Sequence, residues 1–563
     1  MQTTDKSGIS TFINTAVQCG MRHVVCSPGS RNAPLVIAID NHPEIESIVI
    51  HDERSAAFYA LGMAQQLNSP VGVVCTSGSA MLNYYPAVAE AFYQCVPLVV
   101  MTADRPEEWI NHGDGQTIVQ RGVYMNHIRY EGVVEEFVEG ESVVKLVNEV
   151  VGVFKVGNGD WRGPVHFNFP VSEPLYGLAE ASYPQLNKQL SSDSLSNVEL
   201  SDEFIDVWNR SEKRMILCGQ MDYNPGLLNL LGVLVGDSSI AILVENTSNQ
   251  QHQRFVHCID RTLSVITEDE INKFQPEVLI TLGGAIISKR IKQFLRGSNL
   301  QAHCRVGFEF PEMDTYRALS LSVECSSLEF AKALLRANKV KNSSNFGSVW
   351  KQRDAEKQAL TDRFLKVAKF SDLIVFDTIL DFIPENANLH MGNSSVVRYC
   401  QLFNPVKTIR YFSNRGTSGI DGSTSTACGA ALVTPGICNV LVTGDVSFFY
   451  DSNALWSSYL SSNLRIIMIN NDGGGIFRII DGPSSSSQLE KYFEAKHNHS
   501  AEFICKAFNV QYYSASSISE IEGQMEAFYR EDGIQRPKLL EIFTPSEIND
   551  QVLKEFFKLS QLS

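Results

Sequence analysis

The sequence lacks the marks of several large protein classes. No apolar run approaches the roughly 18 residues of a membrane-spanning helix, so no membrane insertion is expected. The amino terminus, M-Q-T-T-D-K-S-G, has no basic stretch followed by an apolar one, so no secretory signal is expected. None of the twelve cysteines stand in C-x-x-C spacing, and none of the twelve histidines form H-E-x-x-H. Reduced core thiols in a cytoplasmic protein are therefore expected, rather than a disulfide framework or a zinc site. Basic residues are in the minority: 47 Lys and Arg face 63 Asp and Glu, a formal charge of −16. A nucleic-acid partner or an anionic membrane needs the opposite field. An anionic small molecule does not, because a cluster of arginines dominates locally over a Debye length of about 8 Å. No G-x-G-x-x-G follows a strand-like run, and Leu282-Gly283-Gly284-Ala285 is too weak a substitute, which argues against a nicotinamide dehydrogenase. No tandem repeat of short period is visible.

What is present is a series of short β-branched runs separated by amphipathic stretches. Arg22–Cys26, Val71–Cys75, Val96–Met101, Arg214–Cys218, Val278–Leu282, Cys438–Thr443, Arg465–Asn470 and Lys538–Phe543 read as parallel strands buried on both faces. The fold class is α/β, with three doubly wound parallel sheets in series. Two polar, Ser-rich stretches, 176–203 and 338–350, divide the 563 residues into regions 1–180, 195–340 and 350–563. The polar run Gly482–Ser487 reads as a loop.

The most specific chemistry lies in the third region. A strand ends at Gly444-Asp445, a helix-length stretch S-N-A-L-W-S-S-Y-L follows, and a second strand ends at Asn470-Asn471-Asp472-Gly473. Asn471 lies 26 residues after Asp445, about one βαβ unit, so both belong at the carboxyl edges of parallel strands, where open α/β sheets bind ligands. A carboxylate, an amide oxygen and a carbonyl from the glycine turn are hard donors suited to magnesium, which completes its shell with phosphate and water. Gly113-Asp114-Gly115 is a decoy, because no Asn pair lies 26 residues beyond its Asp.

This pattern resembles the magnesium and diphosphate motif of the thiamine diphosphate-dependent enzymes. The resemblance implies that Asp445, Asn471 and the carbonyl of Gly473 hold magnesium or manganese, with Gly444 beside the cofactor. Val446 stands where the family usually has Gly. It also implies a pyrimidine-binding first domain, a central α/β domain and a diphosphate-binding third domain. Glu53, in H-D-E-R-S-A-A-F, would hydrogen-bond the aminopyrimidine and promote loss of the thiazolium C2 proton. Ser394, Ile420, Ile476 and Phe477 would line the cofactor. Asp445 of one protomer would meet Glu53 of another, giving a homodimer or homotetramer with active sites between subunits.

Further motifs narrow the resemblance. S-P-G-S-R-N-A-P-L, T-A-D-R-P, G-Q-T-I, S-K-R, M-G-N-S-S-V-V-R and S-N-R-G-T-S-G-I-D-G occur in that order. They are similar to the branch of the family that joins 2-oxoglutarate to isochorismate in menaquinone formation. Acetolactate synthases and simple 2-oxo acid decarboxylases are the alternative, but their monocarboxylate substrates call for fewer arginines. By resemblance Arg398 and Arg415 face 2-oxoglutarate, while Arg31, Arg105, Lys289 and Arg290 face isochorismate. Ser30 and Gln116 are polar active-site groups. His51 is expected to be structural and His497-Asn498-His499 a solvated turn.

Overall fold

Valine, isoleucine and leucine dominate Val71–Cys75, Leu98–Asp104 and Leu464–Asn470, and every residue of these strands is buried. Such strands cannot face water on either side, so helices must cover both faces of the sheet. The structure, a computed structural model, describes residues 2–158, 162–181, 198–339, 342–406, 408–479, 485–531, 533 and 536–559. Most of the first polar stretch, 182–197, lies outside these residues, as do 340–341 and 482–484. The end of the second polar stretch enters the helix Phe346–Leu365, whose Trp350 is buried against Phe274.

Three parallel sheets follow one another along the chain. The first, six-stranded, runs Glu46–Val49, His23–Cys26, Val71–Cys75, Leu98–Asp104, Val165–Pro170, Tyr130–Val133. The central sheet has five strands: Ile240–Val244, Arg214–Cys218, Val278–Leu282, Ala302–Val306 and Leu321–Val323. The last, again six-stranded, runs Arg410–Phe412, Asn388–Met391, Asn439–Gly444, Leu464–Asn470, Lys538–Phe543, Gln511–Ala515. The first and last sheets therefore share one strand order, a duplication that no short sequence period reveals. In both, the order reverses between the first and third strands, and ligands settle outside the carboxyl ends at such a switch point. Gln2–Thr4 pairs antiparallel with Leu178–Glu180 and closes the first unit.

Three strands lie one residue off their expected bounds, at His23–Cys26, Asn439–Gly444 and Leu464–Asn470, and two elements differ by more. The strand expected at Val96–Met101 is Leu98–Asp104, because Pro97 has no N–H to enter the ladder. The helix expected over S-N-A-L-W-S-S-Y-L begins earlier, at Asp445, and ends at Tyr450. Only a 3₁₀ turn, Ser452–Leu455, falls in the expected stretch, and Trp456 beyond it is exposed and stacks on His51.

The first and last units are locked by a helix crossing. Glu53–Leu67 packs on Ser423–Val433, and the backbones meet at two glycines. A Cβ on Gly62 would overlap the carbonyl oxygen of Thr426, and one on Gly429 would overlap that of Tyr59. Since the obstacle is backbone in each case, a larger residue must force the helices apart. Gly62→Val or Gly429→Val is expected to destabilise the protein by at least about 1–3 kcal/mol. A thermal unfolding midpoint equal to wild type would contradict this.

Candidate active site

Asp445 follows the third strand of the last sheet and is 2% exposed. Its Oδ2 accepts hydrogen bonds from the backbone N–H groups of Asn471 at 3.2 Å and Gly473 at 2.9 Å. The two strand ends are thus tied together through the carboxylate. Gly473 holds a φ of +146°, and a Cβ there would press on the carbonyl oxygen of Glu494 at 2.7 Å. The Asn471 side chain donates its Nδ2 to Asp372 Oδ2 at 2.9 Å, while its Oδ1 accepts no hydrogen bond from a described residue. Burial pushes the Asp372 carboxyl up to about 6. His497 Nε2 is buried, makes no hydrogen bond among the described residues, and lies at ion-pair distance, 3.4 Å, from Asp445 Oδ2. The adjoining carboxylate raises its pKa above the ordinary value. His497 is therefore part of this edge, not the solvated turn that its neighbours in sequence suggest. One carboxylate, one free amide oxygen and a glycine turn make a hard-oxygen set, and it fits a divalent cation that brings phosphate oxygens and water.

The first sheet offers the matching edge. Ser30 and Arg31 follow its first strand, Thr76 to Gly78 its third, and Arg105 and Gln116 its fourth. Arg31 is 6% exposed and bonds Val171 O at 3.2 Å and Glu173 Oε1 at 3.4 Å. Burial lowers its pKa, and the nearby Arg105 lowers it further. The Arg105 Nε is buried with no hydrogen-bond partner among the described residues. Ser30 Oγ stands 3.5 Å from Tyr176 OH. Gln116 adopts a φ of +58°, unusual for a side chain of its size, and its backbone covers Gly78. Glu53 is the first residue of its helix, capped by Asp52, whose side chain accepts from Ser55 N at 3.0 Å. Its carboxyl is half-buried, and burial raises its pKa.

Cations gather where the central and last units meet. Ser394, at φ +70°, precedes Ser395–Cys400, and its carbonyl accepts from Arg398 Nη1. Arg415 Nη1 donates to Asn393 Oδ1 at 2.7 Å, while its Nε is buried with no hydrogen-bond partner among the described residues. Burial lowers the pKa of both arginines, and for Arg415 the neighbouring Arg398 adds to the effect. Neither makes an ion pair within 4 Å among the described residues. Lys289 and Arg290 open the helix Lys289–Arg296 and are exposed, with Arg290 lying 4.3 Å from the Phe557 ring centroid. Ile420 lends its carbonyl to Ser447 Oγ at 2.9 Å, Ile476 is buried, and Phe477 lies beside Phe493.

The residues that hold these groups in place are ones that motif reading passes over. Glu90, 1% exposed in the helix Ala80–Gln94, accepts from Gly416 N at 2.7 Å and from Thr417 N and Oγ1 at 2.6 Å. It grips the loop that carries Arg415. Glu245 accepts from Ile287 N and Ser288 N, both at 2.7 Å, fixing the start of the Lys289 helix, and burial pushes it up to about 7. Lys292, one turn past Ser288, is half-buried, and its pKa is lowered by burial and by Arg415 and Arg398. An acid ending a buried strand, as Glu245 does, was the one visible signal among these.

Asp445→Ala removes the charged donor and the tie between the two strand ends. It is expected to weaken Mn2+ binding in the presence of thiamine diphosphate by at least about tenfold. Paramagnetic resonance of free Mn2+ measures this, and unchanged binding would remove Asp445 from the metal site.

Comparison with known proteins identifies the family. The family described as thiamine pyrophosphate enzyme, N-terminal TPP binding domain, matches residues 7–123, and the corresponding C-terminal TPP binding domain matches residues 391–542. Three curated relatives are each named 2-succinyl-5-enolpyruvyl-6-hydroxy-3-cyclohexene-1-carboxylate synthase. That of Flavobacterium johnsoniae is 42% identical over 542 residues, covering 96% of both chains. That of Christiangramia forsetii is 43% identical over 558 residues, covering 95% of this chain and 96% of its own. That of Porphyromonas gingivalis is 38% identical over 574 residues, covering 98% and 97%. With both cofactor-binding domains matched and near-complete alignment to such relatives, the chain belongs to the 2-succinyl-5-enolpyruvyl-6-hydroxy-3-cyclohexene-1-carboxylate synthase family of thiamine diphosphate enzymes.

Proposed function

We propose that this enzyme decarboxylates 2-oxoglutarate and joins the remaining four carbons to isochorismate, releasing CO2 and 2-succinyl-5-enolpyruvyl-6-hydroxy-3-cyclohexene-1-carboxylate. The observation that carries the substrate reading is the pair Arg398 and Arg415, partly buried side by side and, among the described residues, in no ion pair within 4 Å, with Asp260, Glu245 and Glu90 near enough to offset their charge only in part. Burying one charge without a partner costs several kcal/mol, and two like charges cost more. A dicarboxylic 2-oxo acid offsets that cost, and a guanidinium holds its carboxylate in a two-point fork. Pyruvate, with no second carboxylate, leaves one cation uncompensated.

Bound thiamine diphosphate supplies a centre that stabilises the carbanion left when a 2-oxo acid loses CO2. The protein's part is positional. Asp445, the Asn471 amide oxygen and the Gly473 carbonyl would hold magnesium or manganese against the diphosphate. Ile420, Ile476 and Phe477 would form the apolar wall around the ring system. Glu53, half-buried with a raised pKa, is suited to share a proton with the aminopyrimidine. Arg31 and Arg105 crowd together at the first sheet's edge and, with Ser30 and Gln116, suit the two carboxylates of isochorismate; Lys289 and Arg290 would add to that side. The active form would be a homodimer or homotetramer in the cytoplasm, with Glu53 of one protomer completing the Asp445 site of another.

Purified protein given thiamine diphosphate, Mg2+, 2-oxoglutarate and isochorismate is expected to consume isochorismate with matching CO2 release. Replacing 2-oxoglutarate by pyruvate should cut the rate by at least about tenfold. Equal rates would favour the monocarboxylate alternative, and no consumption would end the assignment. Glu53→Gln should keep cofactor affinity yet slow C2-proton exchange of bound thiamine diphosphate by roughly 10²-fold or more. Unchanged exchange, followed by NMR, would take Glu53 out of this role.

A further inference from the structure

Asn471 is the metal donor whose usefulness depends on which way round it sits. An amide presents an oxygen that binds cations at one end and an NH2 that repels them at the other, and the two ends have nearly the same shape. Packing alone does not choose between them. A carboxylate does, because when ionised it only accepts hydrogen bonds. Asp372, 3% exposed at the start of the helix Asp372–Asp381, takes that place and accepts from Asn471 Nδ2 at 2.9 Å. It is itself fixed on two sides. Its Oδ1 accepts from Thr544 Oγ1 at 2.6 Å, and its backbone N–H donates to Asn549 Oδ1 at 2.9 Å. Thr544 in turn donates its N–H to Asn470 O at 3.0 Å, so Asp372 is anchored to the strand end that carries Asn471. Gly475 leaves room for the amide, since a Cβ there would stand 2.9 Å from Asn471 Nδ2.

We propose that Asp372 is a positioning residue that sets the polarity of the Asn471 amide, turning Nδ2 inward so that Oδ1 is presented to the metal. This rests on the reading of Asp445, Asn471 and Gly473 as the cation site. Partners behind metal ligands commonly change metal affinity by 10–100-fold when removed. Asp372→Asn replaces the acceptor-only group by a second amide and lets Asn471 flip.

The test is Mn2+ affinity in the presence of thiamine diphosphate, read by paramagnetic resonance without any turnover. It compares wild type, Asp372→Asn, and the double variant Asp372→Asn with Asn471→Asp. The double variant reverses the hydrogen bond: the new inner amide donates to the new outer carboxylate, whose free oxygen still faces the cation. Wild type is expected to bind, the single variant to bind 10–100-fold more weakly, and the double variant to return to within about threefold of wild type. Wild type that fails to bind Mn2+ overturns the cation site and this inference with it. Binding by wild type and Asp372→Asn alike overturns the inference alone, as does a folded double variant that stays weak. If the single variant does not fold, the double variant decides by the same threefold criterion. A double variant that does not fold also counts against the proposal, because shape, charge and hydrogen bond are all conserved in it.

Discussion

The relation between the first and last units depends on two glycines. Where Glu53–Leu67 crosses Ser423–Val433, backbone touches backbone, and Gly62 and Gly429 permit it. The crossing sets how far the two six-stranded sheets stand from each other and fixes the helix that begins with Glu53. The tip of that helix is pinned as well: Asp52 accepts from Asn453 Nδ2 at 2.7 Å and Arg54 donates to Tyr450 O at 2.8 Å. Packing of this kind has discrete solutions rather than a soft continuum. The candidate catalytic acid therefore inherits its placement from a contact some way along its own helix.

The electrostatics work against the chain's overall charge. A protein at −16 assembles a cationic recess from Arg398, Arg415 and Lys292, whose charge Glu90, Glu245 and Asp260 offset in part while the first two spend their hydrogen bonds on backbone. Glu90 and Glu245 direct their oxygens to N–H groups of the loops that carry the cations. Satisfying buried carboxylates with backbone donors keeps them from pairing with the arginines, which stay available for a ligand.

The strands and the cofactor motif were legible because both are local. Val71–Cys75, Arg214–Cys218, Val278–Leu282 and Lys538–Phe543 appear with the bounds their composition suggests. The Asp445–Asn471 spacing places both residues at neighbouring strand ends, joined by a hydrogen bond. What escaped the sequence is what comes from afar. Asp372 reaches Asn471 across 99 residues and Glu90 reaches Gly416 across 326, and no periodicity encodes such pairs. His497 was misread for the same reason: a His-Asn-His run has the composition of a turn, and only the chain's return toward Asp445 gives it a partner. The helix after Asp445 was displaced because its apolar residues, Val446, Phe448 and Phe449, sit immediately behind a residue read only as a ligand.

The grip of Glu90 on residues 416 and 417 has a mechanical meaning. Arg415, proposed to face the 2-oxo acid, rides on a segment clasped by a helix of the other lobe. Any rocking of one lobe against the other must drag that guanidinium with it. On the proposed assignment of Arg415, selectivity for the 2-oxo acid would read out inter-lobe posture, and distant surface changes that alter this posture would retune which donor is accepted.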